Sequence, residues 1–162
     1  MPLASKPDPD ADPADAERRC RRQAMDLLAR REHSRLELER KLATGGFEPL
    51  LIAAVLDGLQ RDRLLEESRY LESFIRAHAR KGKGPARIRL ELKERGVADG
   101  PIRDALALAG FDWVALAAEA RAKRFGMVRP KDFKERARQA RFLQYRGFTT
   151  DQINAALDLA AD

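Results

Sequence analysis

Metal ligands and disulfide partners are scarce in this sequence. The 162 residues include one cysteine and two histidines, Cys20, His33 and His78, and these lie far apart along the chain. A lone cysteine cannot form an internal disulfide bond, and three separated residues lack the spacing of a zinc site. The sequence therefore predicts neither a metal centre nor a disulfide framework.

Long hydrophobic runs are also missing. The longest stretch without a charged residue covers residues 49–56, far short of the roughly 18 residues that suggest a membrane-spanning helix. Residues 1–16 have neither the basic start nor the apolar run of a signal peptide. We expect a cytoplasmic protein with no membrane partner.

No group of residues has the arrangement that catalysis needs. The segment KGKGP at residues 81–85 lacks the upstream glycine and the serine or threonine of a nucleotide-binding loop. Cys20 lies among leucine and alanine residues, where a buried structural thiol is favoured over a nucleophile. His78, on an apolar helix face, is favoured as a core residue over a general base. The sequence predicts no catalytic residue, no cofactor and no enzyme.

Aromatic residues make up only 6% of the chain, whereas hydrophobic residues make up 44%. A core built from leucine, alanine, isoleucine and valine suits helices that pack on helices.

Three landmarks recur at intervals of 50 and 51 residues, and each is a glycine followed by an apolar residue. The pairs are Gly46-Phe47, Gly96-Val97 and Gly147-Phe148, and a leucine stands four positions before each glycine: Leu42, Leu92 and Leu143. Glycine commonly ends a helix in the left-handed conformation. The apolar residues after each pair, such as Ile52, Val55, Leu56 and Leu59, have the spacing of one helix face. This pattern predicts a helical repeat.

A further helix is predicted before each of these pairs of helices, over residues 17–31, 66–81 and 113–125. The predicted fold is therefore all-α, a tandem array of three three-helix repeats that is elongated and curved. The predicted boundaries are 17–65, 66–111 and 112–162, preceded by a disordered acidic tail over residues 1–16.

Lysine and arginine outnumber aspartate and glutamate by 32 to 26, for a net charge of +6. Since the tail has four aspartates and one lysine, the rest of the chain is more basic still. Such a balance favours an anionic partner.

Two segments concentrate this positive charge. Residues 76–95 contain eight lysines or arginines against two glutamates, and residues 121–146 contain ten against Asp132 and Glu135. Two such runs in corresponding parts of a repeat favour an anion-binding surface over a merely solvated face. We predict the following anion contacts: Arg80, Lys81, Lys83, Arg87, Lys93, Lys123, Arg124, Lys131, Lys134, Arg138 and Arg141.

Two features leave alternatives open. Residues 81–85 are a flexible link, a loop whose backbone amides and two lysines meet a phosphate, or both, since the two interpretations are compatible. Tyr145, between Gln144 and Arg146, is either a core residue or an aromatic ring on which a nucleobase stacks.

Three blocks of sequence accompany the landmarks: REHSRLELERKL at residues 31–42, RYLESFIRAHARKGKGPARIRLELKERGV at 69–97 and RFLQYRGFTTDQI at 141–153. In this order and at this spacing they resemble the RecX family, and the resemblance covers nearly everything after the tail. One departure is visible where the family commonly has paired aspartates after the first repeat, since this chain has RDRLLEE at residues 61–67.

The resemblance implies a regulator of the RecA recombinase. Such a protein lodges in the groove of the RecA filament on single-stranded DNA and inhibits ATP hydrolysis, strand exchange and the coprotease activity of the SOS response. Expected partners are the RecA filament and single-stranded DNA, with weaker binding to duplex DNA, and we expect a monomer. The alternative is a stand-alone DNA-binding protein or transcriptional repressor built from helix-turn-helix-like units.

Overall fold

The structure, a computed structural model, describes residues 12–160. This part of the chain forms nine α-helices and no β-strand. The helices are α1 (Pro13–Arg30), α2 (Arg35–Thr44), α3 (Pro49–Arg61), α4 (Glu67–Arg80), α5 (Pro85–Glu94), α6 (Asp99–Ala109), α7 (Trp113–Phe125), α8 (Phe133–Tyr145) and α9 (Thr150–Asp158). The all-α class predicted from the sequence is confirmed.

Helix α1 starts earlier than the sequence predicts. The Asp12 side chain accepts a hydrogen bond from the Ala14 amide at 3.0 Å, and Pro13 occupies the first turn. An acidic cap and a proline both favour a helix start, so residues 13–16 are helical and not part of a disordered tail. Residues 1–11 of the predicted tail lie outside the described residues.

The glycine landmarks end helices as predicted. Gly46, Gly96 and Gly147 have positive φ angles of 92°, 84° and 97°. In each copy the amide of the next residue donates to the carbonyl of the landmark leucine, and the pairs are Phe47 with Leu42, Val97 with Leu92 and Phe148 with Leu143. This is the hydrogen bond of a Schellman motif, which pairs otherwise unsatisfied carbonyls. The leucine and the glycine are therefore two parts of one helix stop.

The chain divides into two compact units, of which the first ends at Tyr70 and the second begins at Leu71. In the first unit, α1 and α2 both pack on α3. Its core contains the buried thiol of Cys20, as predicted, and the fully buried side chains Leu38, Leu42, Leu56 and Leu59. Each such leucine contributes about 2 kcal/mol by leaving water.

The second unit contains most of α4 and all of α5 to α9. Helices α7 and α8 both pack on α9, and α5 packs on α6. One cluster of its core consists of Ala117, Leu143, Phe148, Ile153, Ala156 and Leu157. Ile75, Ile88, Leu92 and Ile102 from α4 to α6 are also fully buried.

Two turns of the second unit meet through their backbones. The Gly84 amide donates to the Arg146 carbonyl at 2.8 Å, and the Ala86 amide donates to the Gly147 carbonyl at 3.0 Å. A Cβ atom added to Gly84 would lie 2.4 Å from the carbonyl carbon of Gly147, and one added to Gly147 would lie 2.3 Å from Cβ of Arg87. Only glycine allows this approach, which joins the second and third groups of helices.

Candidate functional site

A cationic groove lies in the second unit, between the end of α4, the last turns of α7 and the end of α8. Its cavity is about 320 Å³, and its apolar walls include Leu116, Ala120 and Phe142. The charged residues that line it are Arg80, Lys81, Lys123, Arg124 and Arg146, with Glu119 as the acidic residue. Five cations against one carboxylate make the groove attractive to an anion.

The ends of three helices position these cations. Arg80 is the last residue of α4, and Lys123 and Arg124 lie in the last turn of α7. Arg146 caps α8, where its guanidinium lies 5.3 Å from the centre of the Phe142 ring. Cations are favoured at helix C-termini because the helix dipole is negative there, and the three ends together concentrate positive charge in one place.

The groove brings together cations from both predicted basic segments. Arg80 and Lys81 come from the first, and Lys123 and Arg124 come from the second. Arg146 also lines the groove, although it is not among the predicted contacts. Arg146 is the last cation of the second basic segment, so its position in the sequence could have suggested it as an anion contact. Only the packing at the end of α8 shows that it lines the groove.

Other predicted contacts lie outside the groove and are exposed. They are Lys93 on α5, Lys131 in the link before α8, and Lys134, Arg138 and Arg141 on α8. Lys93 Nζ lies 3.9 Å from Asp99, and Arg138 lies 3.3 Å from Glu135. Ion pairs this exposed are weak, so both cations can exchange their partner for another anion.

Lys83 belongs to an internal ion-pair cluster. Its Nζ donates to both carboxylate oxygens of Glu91, at 2.9 and 3.0 Å, and lies 2.9 Å from Nδ1 of His78. Burial opposes the charge of Glu91, but the hydrogen bonds and charge of Lys83 lower the pKa of this carboxyl. Burial and the neighbouring Lys83 also lower the pKa of His78, which stacks on Phe74 as a core residue does. The charge of Lys83 is thus balanced within the fold.

The turn at residues 81–84 is not a phosphate-binding loop of backbone amides. The amides of Lys81, Gly82 and Lys83 donate to carbonyls of α4, and that of Gly84 donates to Arg146. Since the donors are already used, a phosphate bound here would meet side chains only.

Arg121 is a buried arginine of the second basic segment. Its Nε donates to the Gln139 side chain at 2.8 Å, its Nη1 donates to the Gly126 carbonyl at 3.3 Å, and its Nη2 donates to the Val128 carbonyl. Burial lowers its pKa. Arg121 therefore fastens the start of the α7–α8 link and is not a surface cation.

Among residues 12–160, no group of histidine, cysteine, aspartate and glutamate side chains is arranged to hold a metal ion. No helix of this same part is long and apolar enough to cross a membrane.

Three family models match the chain in order. They describe the first, second and third three-helix domains of RecX, and they match residues 20–59, 67–106 and 112–157. The chain belongs to the RecX family.

Similar proteins support this assignment over most of the chain. The protein named Regulatory protein RecX from Halorhodospira halophila is 50% identical over 133 residues, which are 82% of this chain and 83% of that protein. The protein of the same name from Pseudomonas savastanoi pv. phaseolicola is 53% identical over 137 residues, or 85% and 88% of the two chains. RecX proteins are named as regulators, and no enzyme activity is part of that name.

Solved RecX structures share the fold. The crystal structure of RecX from Lactobacillus salivarius has a TM-score of 0.72 and 27% identity, and the match covers 90% of this chain and 99% of that one. A second RecX crystal structure, 22% identical with a TM-score of 0.76, supports the fold alone. The predicted arrangement in three three-helix units is confirmed as that of RecX, whereas the predicted curvature and exact boundaries stay predictions. The cationic groove combines residues of the second and third RecX domains.

Proposed function

We propose that this RecX-family chain binds RecA filaments on single-stranded DNA and inhibits ATP hydrolysis, strand exchange and coprotease activity. A regulator of this kind works in the cytoplasm. The observation that carries the proposal is the cationic groove, because it gathers four of the predicted anion contacts and Arg146 into one place.

The groove suits the phosphates of a nucleic-acid strand. Phosphate binding by lysine and arginine releases counterions from the strand, so the affinity depends on salt and little on base sequence. Among the groove cations, Lys123 pairs with Glu119 at 3.2 Å, but both side chains are exposed, so this ion pair is weak compared with the Lys83–Glu91 pair. The groove cations can therefore meet a phosphate without first breaking a strong internal ion pair.

Inhibition follows from occupancy and needs no bond-making step. A helical chain that holds the strand and contacts neighbouring filament subunits would obstruct the movements that accompany ATP hydrolysis and strand exchange. The proposed regulator is a monomer with no cofactor.

The test is RecA ATPase activity on single-stranded DNA, with and without this protein, at two salt concentrations. We compare wild type with a groove variant, Arg80→Glu, Lys81→Glu and Arg124→Glu. The matched control, Arg22→Glu, Arg40→Glu and Arg103→Glu, has the same charge change at exposed positions that do not line the groove.

We expect the wild type to inhibit and the groove variant to need at least about tenfold more protein for the same inhibition, because three phosphate contacts are lost. The control should inhibit within about twofold of wild type. Equal inhibition by the groove variant, with the same salt dependence, would discard the groove as the contact surface. Sequence-specific duplex binding without RecA would favour a stand-alone DNA-binding protein instead.

A further inference from the structure

A second cleft lies in the same unit, between α5 and the end of α8. Its volume is about 430 Å³, and Arg87, Leu90, Gln144 and Tyr145 are among its lining residues. Tyr145 is the last residue of α8 and is 75% exposed, and Leu90 is 58% exposed. The core alternative for Tyr145 is therefore wrong, and its exposed ring needs another explanation.

Arg87 holds the Tyr145 ring in place. The guanidinium carbon lies 5.0 Å from the centre of the ring, within the range of a cation–π contact. Nη1 of Arg87 also donates to the Tyr145 carbonyl at 3.2 Å, and Nε lies 3.5 Å from Glu91. A ring that is backed by a guanidinium and still largely exposed is ordered in advance of binding, so less entropy is lost when a ligand stacks on it.

The cleft and the groove differ in charge. The cleft contains Arg87 against Glu91 and Glu94, whereas the groove contains five cations against Glu119. A phosphate would thus be drawn to the groove and not to the cleft. The cleft offers an aromatic ring, the apolar Leu90 and the amide of Gln144, and these suit an uncharged planar group that also has hydrogen-bonding edges.

The two sites adjoin each other along the chain. Tyr145 lines the cleft, and the next residue, Arg146, lines the groove. The Gly84 amide donates to the Arg146 carbonyl, which fixes the backbone at this junction. A strand with a phosphate at Arg146 would therefore have a base within reach of the Tyr145 ring.

We propose that Tyr145, backed by Arg87, is a stacking platform for an unpaired nucleobase of the strand whose phosphates lie in the cationic groove. The base must be unpaired because both faces of a base inside a duplex are covered by its neighbours. This proposal rests on the proposed function and adds a preference for single strands that phosphate contacts alone do not give.

The experiment measures binding of the full-length protein to two fluorescent oligonucleotides of equal length by anisotropy. One is oligothymidylate, and the other has the same phosphates with abasic sugars. The variants are Tyr145→Ala and Tyr145→Phe, and their melting temperatures are compared with that of wild type.

On oligothymidylate, we expect Tyr145→Ala to lose about 5- to 150-fold in affinity with an unchanged salt slope, as expected for one lost stacking contact. Tyr145→Phe keeps the ring and should bind within about twofold of wild type. This difference is much smaller than the loss of affinity expected when one stacking contact is removed. On the abasic strand, wild type and Tyr145→Ala should bind equally, because the groove contacts are the same. A merely structural role for Tyr145 would lower the affinity for both strands.

Three results would overturn the platform: no loss on oligothymidylate, an equal loss on both oligonucleotides, or no binding of either by wild type. If Tyr145→Ala shows no loss on oligothymidylate but loses binding to the RecA filament, which is one form of the first result, the cleft receives a protein side chain and not a base. Inhibition of the RecA ATPase by wild type tests the proposed function separately, because it can persist when Tyr145 has no part in binding.

Discussion

At the scale of single residues, neighbouring cations of similar sequence context have different roles. Lys81 lines the groove, whereas Lys83, two positions later, is bound by Glu91. Arg121 is buried, and Arg124, one turn later on α7, is exposed. The sequence predicted where the positive charge lies but not which charges are already balanced, because that depends on carboxylates and carbonyls brought close by packing.

The Lys83–Glu91 pair predicts a dependence of stability on acid. The folded pKa of Glu91 lies below its ordinary value of 4.5, so the contribution of the carboxylate is complete above about pH 4.5 and is lost as the pH falls through the lowered pKa. Glu91→Gln should reduce the free energy of unfolding at pH 7 by about 2 kcal/mol, because Lys83 loses its charged acceptor.

Urea unfolding at pH 7 and at pH 3 measures this effect. The deficit of Glu91→Gln relative to wild type should be smaller at pH 3. Glu94→Gln, an exposed neighbour on the same helix, should differ from wild type by less than about 0.5 kcal/mol. Equal effects of the two substitutions would show that the cluster is not stabilising.

At the scale of helices and turns, the sequence was most informative. The leucine-to-glycine interval predicted each helix stop, and Thr149 with Gln152 forms a capping box at the start of α9. These features are local, since they depend on residues within one turn of each other. The contact between Gly84 and Gly147 was not predicted, because it joins positions far apart in the sequence.

Alanine substitutions at Gly147 and Gly110 separate the cost in stability of a positive φ angle from the cost of a close contact. Both have positive φ, but a Cβ on Gly110 would have the Leu108 carbonyl oxygen as its nearest neighbour, at 3.9 Å, whereas one on Gly147 would lie 2.3 Å from Cβ of Arg87. Gly110→Ala should cost about 1–2 kcal/mol from backbone strain alone. Gly147→Ala should cost at least about 2 kcal/mol more, because the two turns must move apart.

Thermal and urea unfolding of both variants measure the difference. Similar losses of stability in Gly110→Ala and Gly147→Ala would mean that the turns separate easily and that their contact contributes little.

At the scale of the whole molecule, the net charge of +6 indicated an anionic partner. Attraction by this overall charge and binding by the local groove contacts predict different effects of charge-reversing substitutions on affinity. If the electrostatic field of the whole molecule attracts the strand, any three charge reversals should lower the affinity equally. A groove that binds phosphates responds only to the loss of its own cations. The repeat pattern and the two basic segments could be predicted from the sequence, whereas the meeting of those segments in one groove required the fold.

The salt dependence of binding separates these two cases. With four or five phosphate contacts, the logarithm of the wild-type affinity for oligothymidylate should fall with a slope of about −3 against the logarithm of salt concentration. The groove variant should reduce the magnitude of this slope by about 2, and the control variant should leave it unchanged. Equal slopes for the two variants in an anisotropy titration would favour attraction by the overall charge.

The glycine at the third helix stop has consequences for how this chain can be rearranged. Gly46 ends its helix where an added Cβ atom would have no neighbour within 4 Å. Gly147 ends its helix against the backbone of Arg87, which belongs to the second repeat of the same chain. The three three-helix repeats are therefore not interchangeable. Shuffling their order, or duplicating the first in place of the third, would keep every helix stop and still lose the junction that unites the second and third.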